Sequence, residues 1–140
     1  MPATDEAVAL AVNAAAAADD VRATDLMILD VAELLALVDV FLLASAGSDR
    51  QLKATADRIE ERLREQGRRP LRREGTAESG WVLLDYGDLV CHLFTHEQRD
   101  FYALERLWGD VPRRDVHTGE AIEPVTSVAA RGAEDVEGSA

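Results

Sequence analysis

The sequence predicts an α/β domain in which a mixed β-sheet carries helices packed mainly on one face. Three observations point there. Leu26-Met27-Ile28-Leu29 and Val40-Phe41-Leu42-Leu43-Ala44 are short apolar runs of the kind that form strands buried on both faces. Leu52, Ala56, Ile59 and Leu63 recur at helical spacing, and residues 81–86 and 89–94 flank a two-residue loop of the Gly-X type, Gly87-Asp88.

Taken in order, residues 4–18 place Val8, Leu10, Ala11, Val12, Ala15 and Ala18 among good helix formers, with Thr4 as N-cap and Asp5 and Glu6 in the first turn. A first helix is expected there. The two apolar runs follow as interior strands, separated by a leucine-rich connection. The second ends at Ser45-Ala46-Gly47-Ser48, and Ser48 stands three residues before Gln51, the spacing of a capping box that satisfies orphaned backbone N–H groups. A second helix starts at that point. Arg58, Glu61, Arg62 and Glu65 fall between its apolar positions, and Gly67 stops it. Leu71 to Glu74 reads as a short edge strand.

A hairpin closed by Gly87-Asp88 has its register fixed. Tyr86 then faces Leu89, Leu84 faces Cys91 and Val82 faces Leu93, an apolar or aromatic face that belongs to the core. The opposite face pairs Asp85 with Val90, Leu83 with His92 and Trp81 with Phe94. Aromatic rings mixed with ionisable groups suit a binding surface. Two readings of Trp81 fit this position: an interface anchor, or a ring packed beneath the last helix. That helix is capped by Thr95, carries Phe101, Leu104, Leu107 and Trp108 as a stripe, and ends near Gly109 and Pro112. The domain is therefore placed at residues 1–112, and residues 113–140 are expected to form a flexible acidic tail, since they hold few large apolar groups.

Composition narrows the function classes. The chain of 140 residues is 47% hydrophobic and 30% charged, enough for one packed domain with tails. Ala14 to Ala18 lacks the basic flank and leucine-rich run of a secretory signal, so a cytoplasmic protein with no membrane association is expected. Cys91, the single cysteine, can form no internal disulfide and reads as a buried, inert thiol. Fifteen basic and 27 acidic residues give a net charge of −12, which disfavours a phosphate backbone as main partner and suits a basic protein. Residues 49–73 run against that balance with nine basic and five acidic side chains.

Several groups invite chemistry and have plainer explanations. His92, His96, Glu97 and Asp100 are close in sequence, yet His92 belongs to a strand and His96 to the turn beyond it, so no metal site is expected. Ser45-Ala46-Gly47-Ser48 could hold a phosphate at a helix N-terminus, but it contains one glycine and no lysine, and the cap accounts for it. Arg68, Arg69, Arg72 and Arg73 have no interleaved aromatics and read as a solvated rim, with contact to RNA as the alternative.

The segments Asp39-Val40-Phe41-Leu42-Leu43-Ala44-Ser45-Ala46, Ser48-Asp49-Arg50-Gln51 and Gly80-Trp81-Val82-Leu83-Leu84-Asp85-Tyr86-Gly87-Asp88 closely resemble the signature segments of the Iojap-like ribosomal silencing factors. The resemblance continues through His92, Phe94, Glu97, Arg99, Phe101, Tyr102, Leu104, Glu105, Leu107 and Trp108, and covers about residues 4–112. It implies a nucleotidyltransferase-like fold, binding to the large ribosomal subunit through its fourteenth protein, and translation repression by blocking the joining of the small subunit. It implies no enzyme, no cofactor and no metal. A minor contact with ribosomal RNA and a homodimer belong to the same set of expectations.

On this reading the partner-binding residues are Trp81 and Phe94 as apolar anchors, Asp85 and Glu97 as acceptors for basic groups, and His92, Arg99 and Tyr102 as hydrogen-bonding residues. A nucleotidyltransferase would need paired carboxylates on a strand next to its Gly-Ser turn. Gly47-Ser48 is present, but Asp85 has Leu83 two residues before it and Gly87 two after it, so the acidic pair is missing. A nucleotidyltransferase-like enzyme and an RNA-binding module that uses residues 49–73 are the rival readings.

Overall fold

A computed structural model describes residues 2–102 and 110–122, with the side chains of residues 100–102 excluded. The elements run α1 (Asp5–Asp20), β1 (Thr24–Asp30), β2 (Val40–Ala46), α2 (Asp49–Arg64), β3 (Arg72–Thr76), a 3-10 turn (Ala77–Ser79), β4 (Trp81–Asp85), β5 (Leu89–Thr95), α3 (His96–Tyr102), β6 (Arg113–Arg114) and β7 (Ala121–Ile122). The strands form one sheet in the order β3-β4-β5-β2-β1-β6-β7. It is mixed because β2 and β5 lie parallel, from Val40 opposite Leu89 to Ala46 opposite Thr95, while the other neighbours are antiparallel.

Local chemistry sets the helix ends. The Thr4 hydroxyl accepts from the Ala7 N–H at 3.1 Å, and Thr4 is itself held by Asp39, whose Oδ2 accepts from both its N–H and its hydroxyl at 3.1 Å. The Ser48 hydroxyl accepts from the Gln51 N–H at 3.1 Å. The return bond of the expected capping box goes one residue further back, from the Gly47 N–H to Gln51 Oε1 at 2.6 Å, and Gln51 Nε2 donates to the carbonyls of Val21 and Arg22. Arg68 N–H to Leu63 O and Gly67 N–H to Arg64 O close α2 as a Schellman-type end.

One sheet face, with Ile28, Leu42, Ala44, Val82, Leu84, Leu89, Cys91 and Leu93, packs against the alanines of α1 and against Leu52, Ala56, Ile59 and Leu63 of α2. Ala7, Ala11, Ala14, Ala17 and Ala18 are fully buried, so small side chains let α1 approach both the sheet and α2. Cys91 is fully buried, and burial pushes its thiol up, as suits an inert group. The other face carries Leu29, Val31, Phe41, Leu43, Val90 and Val111.

The hairpin register matches the sequence reading pair for pair, from Trp81 opposite Phe94 to Asp85 opposite Val90, with Tyr86 N–H donating to Leu89 O at 2.8 Å. Gly87 has φ +93°, the conformation that the first residue of such a loop demands. Two features differ from expectation. Of the run expected to be buried on both faces, Ile28 and Leu29 are buried but Leu26 and Met27 only partly so, and the pairing with β2 is irregular between Thr24 and Met27. Residues 113–122 also join the sheet, Arg113 and Arg114 pairing with Leu29 and Ile28, so the described fold passes the boundary placed at residue 112. Two-residue strands leave no periodicity to read, and the free edge of β1 offers unpaired backbone groups that select them. Residues 123–140 of the expected tail, and Leu104, Leu107 and Trp108 of the expected stripe, lie outside the described residues. No described helix is long and apolar enough to cross a membrane.

Candidate functional site

The face of β4 and β5 turned away from α1 and α2 carries Trp81, Leu83 and Asp85 on one strand and Val90, His92 and Phe94 on the other. Trp81, Leu83, Asp85 and His92 are half-buried. Trp81 opens β4 just after the 3-10 turn, and its N–H donates to the Ser79 hydroxyl at 3.3 Å. Asp85 closes β4, where Oδ1 accepts from the Gly87 N–H at 2.8 Å and Oδ2 from Arg72 Nε at 3.2 Å. Its carboxylate therefore supports the hairpin turn and also meets a cation from the edge strand.

His92 sits between two rings, edge-on to Phe41 with centroids 4.7 Å apart and parallel to Phe94 at 6.4 Å. Burial pushes its imidazole down to about 4, from an ordinary value of 6.5. The unfolded chain thus takes up a proton that the folded one refuses. The stability gained from a neutral His92 is complete above about pH 6.5 and is lost as pH falls towards about 4. Urea unfolding between those limits is expected to show a slope approaching ~1.4 kcal/mol per pH unit that His92→Phe removes. An unchanged slope in the variant refutes this origin.

The structure separates the predicted residues. Trp81, Asp85 and His92 share the partly exposed face, and Glu97 is exposed in the first turn of α3, which follows the strand end paired with Trp81. Phe94 is only 2% exposed and lies under the surface rather than on it. Arg99 is 5% exposed, and its Nη1 donates to the Ser45 hydroxyl at 2.8 Å, so it ties α3 to β2. Ser45 and Phe94 pair on the same sheet face as Trp81 and His92, so Phe94 is buried on that face and Arg99 of α3 lies across its end. Tyr102 ends α3, and its side chain lies outside the described residues. Between the open-anchor and packed readings of Trp81, the structure takes a middle course: the ring is half-buried and its Nε1 is covered.

Residues that the sequence reading did not single out are Leu34 and Leu37, 60% and 86% exposed in the connection between β1 and β2. The leucine-rich composition of that connection was the available signal. A groove of about 440 Å³ lined by Pro2, Asp30, Leu34, Val111 and Arg114 lies beside β1 and β6, away from the hairpin.

Electrostatics weakens the RNA reading. Much of the basic stretch is matched internally: Lys53 to Asp57 at 2.8 Å, Arg58 to Asp20 at 2.9 Å, Arg68 to Asp88 at 2.7 Å and Arg73 to Glu60 at 2.7 Å. Cations already facing carboxylates gain less from phosphate. The turn before α2 likewise uses the Gly47 and Gln51 N–H groups internally, which a phosphate would have needed. Among the described residues, no group of three or more histidine, cysteine or acidic side chains is placed to hold a metal ion.

Comparison with known proteins bears on the same residues. A family model described as "Ribosomal silencing factor during starvation" matches residues 4–139. The ribosomal silencing factor of Bacillus subtilis is 42% identical over 106 residues, 76% of this chain and 90% of that protein. The chloroplastic protein Iojap of Zea mays is 33% identical over 108 residues, 75% of this chain and 46% of that protein. A solved structure from Chromobacterium violaceum superposes with a TM-score of 0.69 at 35% identity, covering 72% of this chain and 84% of the other. One from Bacillus halodurans gives 0.64 at 32%, covering 86% and 99%. With signature segments, hairpin register and mixed sheet all in agreement, the chain belongs to the ribosomal silencing factors, a family of ribosome-associated translation regulators.

Proposed function

We propose that this protein represses translation by binding the large ribosomal subunit through its fourteenth protein, and that its bulk there blocks the joining of the small subunit. The observation that carries the reading is the hairpin face. Trp81, Leu83, Asp85 and His92 stay partly exposed on a sheet whose other side is sealed by α1 and α2. Aromatic and apolar groups with Asp85 on the face and Glu97 exposed beside it fit a basic protein surface, and the net charge of −12 favours the same encounter. Obstruction needs shape and affinity but no reacting group, so the proposed action is not enzymatic, and its setting is the cytoplasm. A second copy of the chain would compete for the same face.

The test is Trp81→Ala combined with Asp85→Asn. Asparagine keeps an oxygen for the Gly87 N–H while removing the charge, so the turn survives. Circular dichroism is expected to be unchanged and affinity for purified large subunits to fall about 100-fold or more, the loss of a hot-spot pair. Co-sedimentation equal to wild type sinks the assignment of this face.

A further inference from the structure

Away from the hairpin, the connection between β1 and β2 leaves two large apolar side chains in solvent. Leu34 and Leu37 are exposed there, while Leu35 and Val38 of the same stretch pack onto the sheet with Phe41 and Val111. The exposure is not fraying. Val31 N–H donates to Asp39 O, the N–H groups of Leu34 and Leu35 to Val31 O, and Ala32 N–H to Asp30 Oδ1, so the turn is pinned and its outward residues are held outward. Leu34 also walls the groove of about 440 Å³, whose other apolar residues are Pro2, Val111, Pro112 and Ala121. Exposed leucines beside an apolar hollow form a patch, unlike leucines scattered singly.

The charge on the groove selects its occupant. Asp30, Glu33 and Asp110 line it against one cation, Arg114, whose guanidinium already donates to the Gly119 carbonyl at 3.0 Å and to Asp30 at 3.5 Å. A phosphate backbone is repelled. The chain's own residues 123–140 bring Glu123, Glu134, Asp135 and Glu137 against Arg131 alone, and the basic stretch of a second copy largely faces carboxylates of its own. Neither supplies the missing positive charge.

We propose that this groove, together with Leu34 and Leu37, is a second docking site that takes a basic polypeptide segment anchored by aliphatic side chains. The aliphatic groups enter the hollow and carry the affinity, while lysine or arginine meets Glu33 and Asp110 on the exposed rim and steers the encounter. The sheet order sets β2 and β1 between β5 and β6, three strand spacings or about 14 Å, and the groove shares no residue with the hairpin face. This site is separate from the docking face proposed above and does not depend on it.

The experiment titrates the full chain, with labelled methyl groups, with two peptides of one pattern: three repeats of Leu-Lys-Lys-Leu, and the same with glutamate for lysine. The lysine peptide is expected to shift the methyls of Leu34, Leu37, Val111 and Ala121, and the glutamate peptide at the same concentration to leave them in place. Leu34→Ser combined with Leu37→Ser, both at exposed positions, is expected to unfold at the wild-type temperature and to bind the lysine peptide about tenfold more weakly or worse. It is expected to keep wild-type affinity for the isolated fourteenth protein.

An equal response to both peptides, unchanged affinity in the double variant, or shifts confined to the hairpin face overturns the proposal. Loss of the fourteenth protein by the variant also overturns it, because the groove then belongs to the hairpin's partner. So do concentration-dependent shifts at Leu34 and Leu37 without peptide, the sign of a second copy. Should the double variant fail to fold, Asp110→Asn on the exposed rim replaces it, with an expected loss of about threefold and wild-type affinity as the overturning result. A wild-type chain that takes the lysine peptide but not the fourteenth protein refutes the docking face and leaves this site standing.

Discussion

Gly75→Ala is expected to destabilise the protein by about 3 kcal/mol or more and to weaken ribosome binding with it. Gly75 has φ +85°, where a side chain adds about 1–2 kcal/mol of backbone strain. A Cβ built there overlaps the carbonyl oxygen of Trp81 and lies 3.1 Å from its carbonyl carbon. Both neighbours are backbone, so neither can turn aside. Since Gly75 stands opposite Val82 and Thr76 opposite Trp81, β3 must separate from β4 where the proposed anchor begins. Urea unfolding measures the first effect, and co-sedimentation of whatever stays folded measures the second. A loss below about 1 kcal/mol would mean that the strand shifts freely and that Gly75 is dispensable.

Asp30→Ala is expected to cost about 3 kcal/mol through a different route. Asp30 is 6% exposed and joins three parts of the chain: Oδ2 accepts from the Ala3 N–H at 3.1 Å and from Arg114 Nη2 at 3.5 Å, and Oδ1 accepts from the Ala32 N–H at 3.2 Å. Removing the carboxylate leaves buried donors without partners, the costly side of the hydrogen-bond balance. The N-terminus, the β1–β2 connection and residues 113–122 should loosen together. Faster amide exchange at Ala3, Ala32 and Arg113–Arg114 would accompany the stability loss. Exchange that quickens at only one of these places contradicts a shared anchor.

Legibility followed the range of the interactions. The helix over residues 49–64 was readable because cap, apolar period and stop all lie within about twenty consecutive residues. The hairpin was readable because one glycine turn fixes every pair that follows. The strand Arg113–Arg114 was not, since its partners Ile28 and Leu29 lie far away in sequence and it has no pattern of its own. Among the site residues, the sequence placed Trp81, Asp85, His92 and Phe94 on one face, but side-chain alternation says nothing about what lies over that face. Burial of Phe94, the Arg99 to Ser45 bond and the Arg72 to Asp85 pair all come from elements brought together only in the fold.

The sequence by itself determined the strand and helix order through residue 102, the register of the hairpin, the family and the sign of the charge, because each depends on neighbours in the chain or on composition. The tertiary structure alone decided which of those residues meet solvent, which cations are already matched, and that Trp81 and His92 are left with buried polar atoms unpaired. Burial and hydrogen-bond completion depend on every element that packs against a group, and local pattern carries no record of those distant partners.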